Sequence, residues 1–122
     1  MKLPQPIDKL RVLLYPHPAL RRVCQPVESF NDQLKALADR MIALMREHHG
    51  VGLAGPQVGV LSRLFICNPT GEPGDDRVWV NPVPVEMEGV AEAEEGCLSI
   101  PGVSVTKRRA TRVIIEAQDI RG

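Results

Sequence analysis

Residues 50–60, GVGLAGPQVGV, place four glycines and Pro56 within eleven positions. Glycine loses more conformational freedom on folding than any other residue, and proline removes a backbone donor. The stretch therefore predicts an irregular loop whose backbone approaches something closely. It does not match a phosphate-binding loop, because no Gly-Lys-Ser/Thr follows, nor a dinucleotide fingerprint, because no strand is expected before it. Gln57 is the one long polar side chain inside. A carboxamide carried on a rigid loop can aim a donor at developing negative charge, or can simply hold the loop together.

The loop divides the chain into two halves of different character. Before it, SFNDQLKALADRMIALMREHHG (29–50) offers Ser29 and Asn31 as caps and repeats Leu34, Leu37, Met41, Leu44 and Met45 at helical spacing. This predicts a helix with one apolar stripe, closing on Gly50. His48 and His49 fall at its C-terminus, where the helix dipole favours a cation. Ahead of the helix, Pro4, Pro6, Pro16, Pro18 and Pro26 forbid any long helix and predict an extended arm laid over the domain. Within it, YPHPALRR reads as a turn and a short helical stub, with His17 on the surface.

After the loop come strand signals. RLFICNP is a short apolar run that makes Cys67 a small buried hydrophobe, and GEPGDD is a turn. RVWVNPVPVEMEG alternates around its prolines, which predicts an edge strand or a bulge. GVSVTKRR and TRVIIEAQ are further strands, joined through RRAT. The order is arm, helix, glycine-rich loop and antiparallel sheet, an α+β fold in a single domain over 1–122. Asp119 and Gly122 form a turn after the last strand, which leaves Val113 to Ala117 along an unpaired edge and suggests a chain shorter than the fold it encodes.

Composition narrows the functional classes. Hydrophobic residues make up 43% and charged residues 25%, while aromatic residues are 3%, so the core must be aliphatic. The formal net charge is +0, giving no general attraction to nucleic acid or anionic membrane. Eight acids lie between Glu72 and Glu95 against the single base Arg77, and Lys107, Arg108, Arg109 and Arg112 follow. These runs read as solvated faces, with a phosphate or RNA contact by the basic one as the alternative and no clear nucleic-acid site. Cys24, Cys67 and Cys97 show no CxxC spacing, no secretory segment precedes them, and no run reaches ~18 apolar residues. A cytoplasmic protein with no membrane segment is expected.

Cys97 poses a chemical question. It follows Glu92, Glu94 and Glu95, whose negative charge raises a thiol's pKa and makes it a poor nucleophile. Such a thiol becomes useful only beside a cation, whether histidine, lysine or a metal ion.

GVGLAGPQ at 50–57 and EEGCLSIPG at 94–102, behind a helix and an extended arm, resemble peptide deformylase. That family removes the formyl group from the initiator methionine of new bacterial or organellar proteins. Its pattern comprises a GxGLAxxQ loop, an EGCLS strand and a later helix carrying HExxH. The resemblance implies that Cys97 is a metal ligand, its thiolate stabilised by the cation despite the acids. It implies that Gln57 and the Leu98 backbone N–H stabilise the oxyanion, that the Gly52 carbonyl orients the substrate, and that Glu95 helps hold the site. The implied cofactor is Fe(II), with zinc or nickel able to occupy the site. The implied partners are formyl-Met peptides or nascent chains, in proximity to the ribosome. Gly55, where the family usually has alanine, is expected to loosen the loop at a cost in backbone entropy.

HExxH itself is absent: His17, His48 and His49 are the only histidines. The family's Cys-His-His site would lack two ligands here, and the glutamate that serves as general base and acid. The expectation is a truncated, deformylase-like domain without its C-terminal metal-binding helix, inactive as 122 residues alone. Two alternatives stand beside it. One is a non-catalytic or partner-completed module. The other is a metal-independent hydrolase in which Cys97 is the nucleophile and His48 or His49 the base.

Overall fold

The computed structural model describes residues 1–14, 17–88, 91–97, 100–109 and 112–122, with side chains described for 1–14, 17–83 and 115–122. Among the described residues there is one α-helix, α1 (Asp32–Glu47), and there are six strands. These are β1 (Gly52–Ala54), β2 (Leu64–Cys67), β3 (Arg77–Glu88), β4 (Ala91–Cys97), β5 (Ile100–Arg109) and β6 (Arg112–Gln118). Four of them form an antiparallel sheet in the order β1-β2-β3-β6, and β4 and β5 pair separately. The expected α+β class and the single main helix on an antiparallel sheet are both observed.

Helix α1 forms where its apolar period and caps agree. The Asn31 side-chain oxygen accepts from the Leu34 N–H at 3.1 Å, satisfying one of the orphan donors of the first turn. Leu34, Leu37, Ala38, Met41, Leu44 and Met45 are buried along one stripe. They pack against Leu53 of β1, Leu64 and Ile66 of β2 and Val80 of β3. Each of these large side chains stabilises the fold by about 1.5–3 kcal/mol relative to leaving it exposed.

The helix ends one residue earlier than its glycine suggests. His49, not Gly50, takes the left-handed conformation, at φ 55°. The His49 N–H donates to the Arg46 carbonyl at 3.1 Å, and the Gly50 N–H to that of Met45 at 2.9 Å. This pair of bonds is a Schellman closure. Both C-terminal histidines are exposed.

Three residues of the loop that the glycines mark as irregular are in fact a strand. Leu53 pairs with Ile66, flanked by Gly52 with Cys67 and Ala54 with Phe65. Burial of Leu53 against the helix outweighs the poor strand propensity of its neighbours. In β3 the prolines sit beside bulges rather than on an edge, since β3 lies between β2 and β6. Register slips between Val80 and Val83 and again between Pro84 and Glu86. Asn81, at the first slip, adopts φ 51°, the left-handed geometry that a bulge of this kind requires.

The arm is laid over the domain as expected, with 3₁₀ turns at Ile7–Lys9 and Pro18–Arg21. Leu10 is buried, and its carbonyl accepts from both Nε and Nη2 of Arg40, at 3.3 and 2.8 Å. His17 is exposed, and its Nδ1 caps the second turn by accepting from the Ala19 N–H at 3.1 Å. Gln25 forms a parallel bridge with Ser62. Val27 is held at both backbone groups by one side chain: its N–H donates to Asn81 Oδ1 at 2.7 Å, and its carbonyl accepts from Nδ2 at 2.9 Å. Asn81 Nδ2 also donates to Gln118 Oε1 at 2.7 Å, joining arm, β3 and β6 at one point.

The acidic and basic runs meet across a hairpin. Register sets Glu92 opposite Arg108 and Ala93 opposite Lys107, so the two runs share the β4-β5 ribbon. Val113 to Ala117 lie in β6, which has β3 as its one strand neighbour among the described residues. Leu98 and Ser99 of the cysteine motif, the Ala110-Thr111 part of the RRAT connection and the Tyr15-Pro16 part of the arm's turn lie outside the described residues. No described helix is long and apolar enough to cross a membrane.

Candidate active site

The glycine-rich loop positions Gln57 from both of its ends. Residues Gly55–Val58 form a 3₁₀ turn directly after β1. The Ala54 N–H donates to Gln57 Oε1 at 3.0 Å, so the side chain reaches back three residues to the start of the turn. This is half of a capping box, since alanine has no oxygen to return the bond. A backbone N–H can only donate, so the carboxamide oxygen faces Ala54 and the NH₂ group is turned to the opposite side. The Gln57 carbonyl accepts from the Leu13 N–H of the arm at 2.7 Å.

Beneath the turn, the backbone is close-packed. A Cβ at Gly55 would lie 2.7 Å from the Val60 carbonyl oxygen, 2.8 Å from that of Ser62 and 3.2 Å from the Leu64 side chain. Gly55 is buried, and its own carbonyl accepts from the Val60 N–H at 3.0 Å. Glycine here does not loosen the loop, contrary to the expectation from its departure from alanine. It lets two carbonyls approach where a methyl group would force them away. Gly59, at φ 80°, ends the turn, with Pro4 and Leu13 of the arm against its α-carbon.

Gly52 lies on β1, at the end of the sheet order, on the face opposite Leu53. By register this face also carries Phe65, Cys67 and Trp79. The Phe65 and Trp79 rings stack at 6.2 Å, with 27° between their planes. Cys67 is half-buried rather than sealed in the core, and its Sγ accepts from Trp79 Nε1 at 3.3 Å. Burial pushes the Cys24 thiol up, partly offset by the Arg63 charge, which makes it a poor nucleophile.

Cys97 ends β4, pairing with Ile100 just past a register break after Gly96. Leu98 lies outside the described residues, as do the side chains of Cys97 and Glu95. The structure thus places Gly52 and Gln57 on one continuous β1–turn unit. No group of three or more His, Cys, Asp or Glu able to hold a metal ion occurs among the described residues.

The whole arrangement from Lys9 onward matches a known family model: residues 9–122 fit the family described as polypeptide deformylase. This chain belongs to that family. Peptide deformylase 1 of Clostridium perfringens is 44% identical over 103 residues, covering 84% of this chain and 69% of that protein. The peptide deformylase of Rhodopirellula baltica is 40% identical over 115 residues, covering 93% of this chain and 57% of its own length. Among solved structures, a peptide deformylase from Legionella pneumophila superposes with a TM-score of 0.90 at 41% identity, covering 93% of this chain and 68% of that one. The Thermotoga maritima peptide deformylase gives 0.88 at 36% identity, covering 93% and 76%. The deformylase chain described here therefore spans between 57% and 69% of the length of those two curated relatives.

Two groups that hold Gln57 leave almost no mark in the sequence. Ala54 contributes through its N–H, and the only textual trace is a glutamine three residues after a strand end. Leu13 also contributes through a backbone N–H, which leaves no side-chain signature at all.

Proposed function

We propose that the protein is a hydrolase that removes the N-formyl group from the initiator methionine of nascent chains, acting on formyl-Met peptides as a single domain. The observation that carries this reading is the double anchoring of Gln57, with its oxygen on the Ala54 N–H and its carbonyl on Leu13. A preorganised carboxamide donor is what stabilisation of a tetrahedral oxyanion requires, because no reorganisation remains for the moment of reaction. In this reading the Gln57 NH₂ group and the Leu98 N–H receive the developing charge. The Gly52 carbonyl, on a strand with one described neighbour, orients the substrate backbone as an added strand would be oriented.

The donors in this chain do not complete a metal site by themselves. Cys97 is our proposed ligand, supported by its place at the end of β4 in the family's cysteine motif. The histidine donors and the glutamate base would come from residues that these 122 do not contain, since HExxH is absent from them. A divalent cation, with iron, zinc and nickel all compatible with thiolate and imidazole, supplies Lewis-acid polarisation of the formyl carbonyl when bound. His48 and His49 have a sufficient role in closing α1, which favours the metal reading over a Cys97–histidine nucleophile pair. The chain as 122 residues is inactive in this reading, and the non-catalytic module is its description in isolation. A cytoplasmic location close to the ribosome follows from the substrate.

Formate release from formyl-Met peptides tests this directly. Full-length protein is expected to turn over, and Gln57→Ala to lower kcat by about 10²–10³. Robust turnover by the 122 residues alone, or full activity in Gln57→Ala, would overturn it.

A further inference from the structure

We propose that Leu13 is a positioning residue for this site, so that the N-terminal arm is a working part of the oxyanion donor rather than a passive wrapping. The inference rests on the role given to Gln57 above and extends it to a residue in no sequence motif. Two fixed points of Gln57 are described. Its side-chain oxygen is tied to Ala54, four bonds out from the backbone, and its carbonyl is tied to the Leu13 N–H at 2.7 Å. The first bond alone fixes one atom of a flexible side chain. The second fixes the peptide plane from which that side chain starts, and the two together define the direction of the NH₂ group.

The arm is suited to this because it is independently anchored on both sides of Leu13. Three residues before it, buried Leu10 is gripped by the Arg40 guanidinium through two bonds. Further on, Gln25 bridges Ser62 and Val27 is held by Asn81. The Leu13 side chain and Pro4 close over Gly59, the left-handed residue that ends the Gln57 turn. Displacement of a catalytic donor by about 1 Å can cost on the order of 10² in rate, so an anchor this near Gln57 acts on chemistry.

An amide-to-ester replacement at Leu13 removes the N–H and keeps the side chain. Cys24 permits it in the full-length protein, because a synthetic 1–23 thioester can be ligated at that cysteine. The Leu13 ester is expected to lower kcat about tenfold with KM changed less than about twofold, and to speed hydrogen exchange of the Gln57 side-chain NH₂ group. The same ester at Leu14, whose N–H makes no hydrogen bond among the described residues, is expected to do neither. Unchanged kcat and unchanged Gln57 exchange in the Leu13 ester would overturn the proposal, as would an equal effect at Leu14. If the unmodified protein releases no formate, the deformylase reading fails, while the exchange comparison still decides whether Leu13 positions Gln57.

Discussion

Asn81→Ala is expected to destabilise the protein far more than a half-exposed polar residue ordinarily would. The side chain makes three hydrogen bonds, two to the backbone of buried Val27 and one to Gln118. A typical bond contributes about 1 kcal/mol, and a buried partner left unsatisfied costs about 1–3 kcal/mol. The Gln118 bond is solvent-exposed and adds less. Alanine must also hold φ near 51°, which asparagine tolerates better. The sum is about 3–4 kcal/mol. Urea unfolding of the full-length protein would show it as a lower midpoint at unchanged slope. Asn81→Gly should recover about 1 kcal/mol by relieving the left-handed strain alone, and hydrogen exchange at Val27 should rise in both variants. A loss below about 1 kcal/mol in Asn81→Ala would refute the reasoning, since water would then replace the side chain at no cost.

Other substitutions probe single backbone features. His49→Gly should stabilise by about 0.5–1 kcal/mol, because glycine accepts the left-handed helix closure without a Cβ penalty; a lower melting temperature would contradict this. Gly55→Ala should destabilise by about 1–2 kcal/mol, as the clash with two backbone carbonyls exceeds the entropy gained in the unfolded chain. A more stable variant would mean that the Val60 and Ser62 carbonyls retreat freely. Asp75 is held below its ordinary 3.8, first by the Thr70 hydroxyl and then by the Arg77 charge. Its folded carboxyl therefore stays ionised to lower pH than the unfolded one, so its contribution is present above that value and fades as the folded form protonates. Thr70→Ala should raise the Asp75 pKa in an NMR titration, and an unmoved titration would exclude the hydroxyl as the cause.

Where side-chain pattern and local chemistry agree, the fold is legible. Leu34, Leu37, Met41, Leu44 and Met45 all reach the core, and Asn31 caps as its type suggests. Prolines 82 and 84 announced irregularity in β3, though only pairing with β6 separates bulge from edge. What could not be read is what backbone groups do over distance. Gly52 to Ala54 form a strand because Leu53 finds Ile66, a tertiary event that glycine propensity hides. His49 takes the left-handed place beside an available glycine, and Gly55 is dictated by two remote carbonyls. In the site, Gln57 stood out as a lone polar side chain, whereas its supports at Ala54 and Leu13 are peptide N–H groups that any residue but proline carries.

The arm's bonding partners have a temporal consequence. Residue 10 meets 40, residue 13 meets 57, residue 25 meets 62 and residue 27 meets 81. During synthesis the arm thus leaves the ribosome before any of these partners and waits until between 30 and 54 further residues have emerged behind it. A mutation that slows sheet assembly would prolong the interval in which Leu10 and Val27 stand uncovered, and its toll would appear as aggregation during expression rather than as a lower melting point.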